Sequence, residues 1–240
     1  MGQGGSILLA LIAGLMAAAP VAAETPSLAP FTVEDMGRLK DVTEPVFTTD
    51  GQALIYVVTG KGDGDVLQSD LWRAPWDGGE PRALTRSGVA SEWSPQPSDD
   101  GRFIAYLSDA SDEVQLWIMP AAGGAGRRVT RLPGGISDFT LSPDGLSAVV
   151  VAEVGARVGQ ADDAQTPIVI DRFQTREDGR DWLDDRRQHL FRVTLAAGAA
   201  VQITHGDYDH WTPRWSPDGT RIAFVSKRCA EADRHICSDV

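Results

Sequence analysis

Four Asp-Gly pairs, Asp50-Gly51, Asp100-Gly101, Asp144-Gly145 and Asp218-Gly219, each stand between two short apolar runs, and they constrain this chain more than any other feature. Glycine reaches positive φ without steric cost, so each pair reads as a tight turn joining two antiparallel strands. The second and fourth copies align without a gap from Trp93 to Ser108 and from Trp211 to Ser226. Eight of these sixteen positions are identical, among them Trp93/Trp211, Pro95/Pro213, Ser98/Ser216 and Ile104/Ile222.

A second signal keeps step with the first. Leu71-Trp72, Leu116-Trp117 and Leu190-Phe191 are each followed, eight residues after the Leu, by Gly79, Gly124 and Gly198. Fourteen residues after the Leu come Thr85, Thr130 and Thr204. From each Thr to the next turn glycine the separation is 16, 15 and 15 residues, so a single unit of about 45 residues recurs, the length of a four-stranded propeller blade. Within a unit the strands are the approach to the Asp-Gly turn, the run after it (Phe103 to Ser108), the Leu-Trp run (Val114 to Met119), and the short run ending in Thr. The expected fold is all-β, a partial β-propeller of about three and a half four-stranded blades. Trp72, Trp93, Trp117, Trp211 and Trp215 recur with the blades and read as packing between neighbouring sheets rather than as a stacking surface for sugars or bases.

The ends of the chain complete the expected layout. Ile7 to Ala19 is uncharged and apolar but short for a membrane span, and Val21-Ala22-Ala23 suits signal-peptidase cleavage before Glu24, although Met1 to Ser6 carries no Lys or Arg. Residues 1–23 therefore read as a signal peptide, 24–39 as a leading arm with two prolines, and 40–240 as an incomplete propeller, exported to the periplasm or secreted, with no membrane span once the signal is removed. Ser238-Asp239-Val240 aligns with Ser69-Asp70-Leu71, so the sequence stops where the third strand of a fourth unit would begin. An open stack of this kind would leave an unpaired edge, and a decayed gene whose product fails to fold is one reading of it.

One unit is stretched. Leu190 follows Gly145 by 45 residues, where in the preceding unit Leu116 follows Gly101 by 15. The excess is an inserted hairpin near 160–188, with Asp178-Gly179 as its turn; it either carries contacts or is a solvated hairpin of alternating charge. Asp171, Arg172, Asp184, Asp185, Arg186 and Arg187 are its candidates for contact with a catalytic domain or a peptide terminus, weighed against ordinary exposed ion pairs. Cys229 and Cys237 fall at the two ends of a strand-to-strand connection and form either a disulfide or two free thiols.

Other chemistries find little support. A net charge of -12 without clustered Lys and Arg argues against nucleic-acid binding. His205-Gly-Asp-Tyr-Asp-His210 lacks strong metal-ligand spacing and reads as a hydrogen-bonded loop. Gly60-Lys-Gly-Asp-Gly-Asp65 lacks the order of a phosphate-binding loop and reads as a blade hairpin. No catalytic, cofactor or metal residue is assigned.

Leu141-Ser-Pro-Asp-Gly145 and Trp215-Ser-Pro-Asp-Gly219, followed by Arg221-Ile-Ala-Phe-Val-Ser226, resemble the propeller repeats that precede the catalytic domain in the prolyl oligopeptidase family of serine peptidases. Pro167-Ile-Val-Ile-Asp-Arg172, Leu183-Asp-Asp-Arg-Arg187, His189-Leu-Phe-Arg-Val193 and Gly206-Asp-Tyr-Asp209 resemble its acylaminoacyl-peptidase and dipeptidyl aminopeptidase branch. The resemblance implies a non-catalytic propeller that filters peptide substrates by size, with hydrolysis carried out by a C-terminal α/β-hydrolase domain and no cofactor. No G-x-S-x-G occurs in this chain, so no catalytic residue carries over and the chain alone is expected to be inactive. The alternative is a TolB-type periplasmic propeller, which has similar repeats and acts by protein-protein binding.

Overall fold

Four antiparallel sheets follow one another along the chain in a computed structural model that describes residues 30–240, apart from 63–65, 87, 89, 156–157, 159–172, 178–180, 183–184, 233 and 236. The first holds β1 (Asp41–Phe47), β2 (Ala53–Lys61), β3 (Leu67–Pro75) and β4 (Arg82–Ala83), in that order. The second holds β5 (Glu92–Pro97), β6 (Phe103–Ser108), β7 (Gln115–Pro120) and β8 (Arg127–Arg128). The third joins β9 (Asp138–Leu141), β10 (Ser147–Val154), β13 (Arg187–Thr194) and β14 (Ala200–Gln202); the fourth is β15 (His210–Trp215) and β16 (Ile222–Ser226). These are the propeller blades that the repeats predict, with strand β6 as expected and the Leu-Trp strand beginning one residue later. A short helix, α1 (Val33–Met36), interrupts the leading arm, where Asp35 Oδ2 accepts from both the backbone N–H and the hydroxyl of Thr32.

The Asp-Gly turns have a chemistry of their own. In each, the hydroxyl of Thr48, Ser98, Ser142 or Ser216 donates to the aspartate two residues on, at 2.6, 2.7, 2.5 and 2.5 Å, and accepts the backbone N–H five residues on. Gly51, Gly101, Gly145 and Gly219 carry φ of 68, 68, 65 and 68°, the left-handed backbone that closes the turn. The donated hydroxyl bond is also the main cause that holds Asp50, Asp100, Asp144 and Asp218 below the usual carboxylate range.

The threonine spacing has an equally local cause. Thr85, Thr130 and Thr204 each accept the backbone N–H of Leu71, Leu116 and Leu190 on their hydroxyl oxygen, all at 2.9 Å. The side chain takes over where the fourth strand ends, so it completes the ladder that a carbonyl would otherwise extend. The residue before each of these leucines pairs with the residue seven beyond the turn glycine: Val58↔Asp70, Ser108↔Gln115 and Ala152↔His189. Asp239 bridges Ser226 in the same register, so the alignment of Ser238-Asp239-Val240 with the start of a third strand corresponds to real pairing.

Blades pack face to face. Ile55, Val57 and Leu71 of the first meet Ile104, Tyr106 and Met119 of the second, with Trp93 and Trp117 against them. The other face of the second blade packs Leu107, Leu116 and Val129 on Phe139, Val150 and Val193 of the third, and Trp93 joins this cluster too. Trp215 and Phe224 cover Val149, Val151 and Leu190 at the third-to-fourth contact. The first strands of successive blades are also stitched to each other: Ser94 N donates to Glu44 Oε2, Leu141 N donates to Gln96 Oε1, and Arg214 approaches Asp138 at 4.0 Å.

Candidate functional site

Connections in an antiparallel meander alternate between the two ends of the strands. The Asp-Gly turns therefore gather at one end of the blades. The second-to-third strand connections and the links from blade to blade gather at the other, which carries the insertion, the Cys229 to Cys237 connection and the loop from His205 to Asp209. Two short strands, β11 (Arg176–Glu177) and β12 (Asp181–Trp182), pair antiparallel within the insertion, while its expected turn at Asp178-Gly179 lies outside the described residues.

Of the six charged candidates, Asp171, Arg172 and Asp184 also lie outside the described residues. The other three stand at the base of the insertion. Asp185 is exposed, Arg186 reaches Glu153 of β10 at 3.4 Å, and Arg187 is buried with its side chain only 8% exposed. Arg187 donates to the Arg186 carbonyl and forms an ion pair with Asp207. Two stretches that the sequence treats separately, the insertion base and the His205 to Asp209 loop, are thus one assembly. Asp209 accepts the Gln188 backbone N–H at 2.8 Å, and Lys227 Nζ meets Gln174 Oε1 at 3.4 Å, which ties the insertion to the fourth blade.

Two histidines fill the floor beneath this loop. His210 is fully buried; its Nδ1 faces the Gln188 carbonyl at 3.2 Å and its Nε2 faces Arg228 at 2.8 Å. Arginine only donates, so Nε2 accepts and Nδ1 carries the proton, the neutral tautomer. His189 lies 5.1 Å from His210 ring to ring and meets Thr204 Oγ1 at 3.2 Å. Burial, with the neighbouring positive groups, pushes both imidazoles below the ordinary value of 6.5. Arg228 also lies 5.8 Å from the ring centres of Tyr208 and Phe224, and Cys229 is joined to Cys237 by a disulfide just beyond it.

Both rings are occupied in structural bonds, and Ser226, the nearby hydroxyl, donates to the Asp209 carbonyl and accepts from Arg228. The one hydroxyl on an imidazole among these, Thr204 on His189, also accepts the Leu190 N–H at 2.9 Å and so serves the strand ladder; the arrangement can position a loop and present charge. Among the described residues no group of three His, Cys, Asp or Glu side chains is placed to hold a metal ion.

The lowered imidazole values make stability depend on pH. An unfolded histidine binds its proton near 6.5 and these two bind later, so the unfolded chain takes up more protons as pH falls below 6.5, and stability is lost through the folded values. Glu92 opposes them: its carboxyl is pushed from 4.5 up to about 7, so its contribution is complete below 4.5 and lost as pH rises through about 7. Denaturant midpoints taken between the acid and neutral ranges should therefore fall less on acidification in His210→Gln than in the parent chain. An equal fall would contradict the assignment.

The repeat frame contained a signal for this floor. His210 and Glu92 are aligned, each just before a tryptophan, and each lies near the residue before Leu in the preceding blade: His210 beside His189, and Glu92 within reach of the Asp70 charge. Sequence reasoning missed Glu92, which is 4% exposed at the matching place between the first and second blades.

No protein-family model matches the chain. It is 30% identical over 218 residues to the uncharacterized peptidase YuxL of Bacillus subtilis, covering 84% of this chain and 32% of that protein. It is 27% identical over 197 residues to dipeptidyl-peptidase 5 of Porphyromonas endodontalis, covering 74% of this chain and 28% of that one. The chain thus spans about a third of the length of these curated relatives. The acylaminoacyl peptidase of Pyrococcus horikoshii superposes with a TM-score of 0.61 at 13% identity, over 80% of this chain and 28% of its own. TolB of Acinetobacter baumannii superposes with a TM-score of 0.51 at 15% identity, over 78% and 38%. Both structures speak to the fold, whereas the curated relatives add the peptidase class. The resemblance drawn from the repeats therefore stands: this chain is a β-propeller segment of the kind found N-terminal in peptidases of the prolyl oligopeptidase family.

Proposed function

We propose that this chain is the non-catalytic, substrate-filtering propeller of an exported serine peptidase whose α/β-hydrolase domain lies outside these 240 residues. The observation that carries the reading is the 30% identity to a bacterial peptidase over 84% of the chain. Peptides are the substrate class, and the end of the blades with the insertion is the face that meets the catalytic domain. Arg187 with Asp207, and Arg186 with Glu153, set the base of the insertion there, so these two contact candidates are held by partly buried ion pairs. Export rests on the apolar stretch Ile7 to Ala19 followed by small residues, and the Cys229–Cys237 disulfide suits an oxidising compartment. The TolB likeness is 15% identical and supports only the fold, so it does not carry a second reading.

The test compares two proteins. The 240-residue chain is expected to leave aminoacyl, dipeptidyl and acylaminoacyl chromogenic substrates intact. The product of the coding frame read on past codon 240 is expected to carry a G-x-S-x-G motif, to hydrolyse them, and to be labelled by a serine-directed inhibitor. Inhibitor-sensitive hydrolysis by the shorter protein, or a downstream frame that holds only further blades and a stop, overturns the proposal.

A further inference from the structure

The first and second blades enclose an open cleft of about 260 Å³, lined by Glu92, Tyr106, Trp117, Thr85, Ser108 and Arg86 among others. It lies two blade contacts away from the histidine floor. Glu92 Oε2 is buried and without a hydrogen-bond partner, and so is Trp117 Nε1. One is an acceptor and the other a donor, and leaving either unmet in a protein interior is costly. A buried pair of opposite hydrogen-bonding character in one cleft is the signature of a site shaped for something else.

The charge around Glu92 decides which chemistry fits. Asp70 and Asp109 both act on it as like charges, while Thr85 and Ser108 hydrogen-bond the carboxyl. Arg86 is the cation of the cleft, and it lies over the Trp72 ring at 5.9 Å with Asp70 as its nearby charge. The field at Glu92 is therefore negative and favours a cation. We propose that this cleft binds a small protonated amine bearing an oxygen acceptor, its ammonium group on the Glu92 carboxylate and its oxygen on the Trp117 indole N–H. Free amino alcohols and the aminoacyl amide of a peptide share that chemistry. The site does not depend on the peptidase reading, since amine binding is measured on this chain alone.

Burial and like charge hold the Glu92 carboxyl protonated up to about 7, so an ammonium ligand must compete with that proton. The groups facing it are Asp70, Asp109, Arg86 and Tyr106, and Tyr106 is itself pushed up to about 12 by burial and by Glu92.

The experiment follows the indole N–H resonance of Trp117, assigned by its loss in Trp117→Phe, while ethanolamine, glycinamide, n-propylamine or 1-propanol is added. Ethanolamine and glycinamide should move the peak with a dissociation constant on the order of 1–10 mM, as suits so few atoms. Ethanolamine binding should tighten about tenfold between about pH 6 and about pH 8, the change in ionised Glu92. Glu92→Gln should weaken it at least about tenfold, the loss of a charge-assisted bond, with the melting curve confirming that the variant is folded. n-Propylamine should bind without the large indole shift, and 1-propanol should not bind. Preference for glycinamide over ethanolamine identifies the aminoacyl source, and the reverse identifies the free amino alcohol. A peak unmoved by about 50 mM ethanolamine at the higher pH, or moved equally by 1-propanol, overturns the proposal without touching the peptidase reading.

Discussion

Thr130→Val will destabilise the chain by about 3 kcal/mol, whereas Thr130→Ser will cost about 1 kcal/mol, although serine removes more of the side chain's bulk. Thr130 is 1% exposed, at the end of the second blade. Its oxygen accepts the Leu116 N–H at 2.9 Å and its proton goes to Gln115 Oε1 at 2.6 Å. Valine keeps the shape and the β-branched rotamer but offers neither bond. The Leu116 N–H is then a buried donor with no acceptor, while Gln115 Oε1 retains only the Leu132 N–H at 3.1 Å. Serine loses one methyl contact and keeps both bonds. Denaturant midpoints at constant m-value separate the two, and a valine variant as stable as the serine one would show that the hydroxyl is incidental. For a domain of this size the valine cost corresponds to a melting temperature lower by about 6–12 °C.

That threonine shows why so much of the fold could be read from the chain. Its hydroxyl reaches a backbone N–H fourteen residues back within the same blade, and the turn hydroxyls reach a carboxylate two residues on and an N–H five residues on. Bonds that close within one unit impose fixed spacings on every copy, so repetition makes them visible. The candidate site was legible only in part. Arg187 and Asp207 meet because the third blade's strand edge and its outgoing link turn to the same end, and neither residue recurs at the corresponding place in the other blades. Glu92 was hidden for a related reason: a carboxylate beside a turn or strand end is ordinarily solvated, and only the rotation of one blade against the next buries this one.

That rotation is tested most sharply at Gly198. Gly198→Ala is expected to cost about 3 kcal/mol, of which about 1 is the left-handed backbone and about 2 is overpacking. Gly198 has φ of +68°, and a Cβ placed on it would stand 2.3 Å from the carbonyl oxygen of Val129, in the neighbouring blade. Val129 is 2% exposed, and its N–H is fixed to the Leu116 carbonyl at 2.7 Å, so the oxygen has little room to retreat. Arg127 Nη2 donates to the Leu195 carbonyl at 3.1 Å across the same contact, which holds the two blades at this distance. Gly51 supplies the control: its φ is also +68°, but a Cβ there meets nothing within 4 Å. Gly51→Ala therefore carries the backbone cost alone, about 1 kcal/mol. The difference between the two substitutions measures the approach of one sheet to the next, independently of any property of glycine. Equal costs at the two positions would mean that the blades do not stack as close as this structure has them, and the cleft at Glu92 and the floor at His210, both formed by that stacking, would lose their basis.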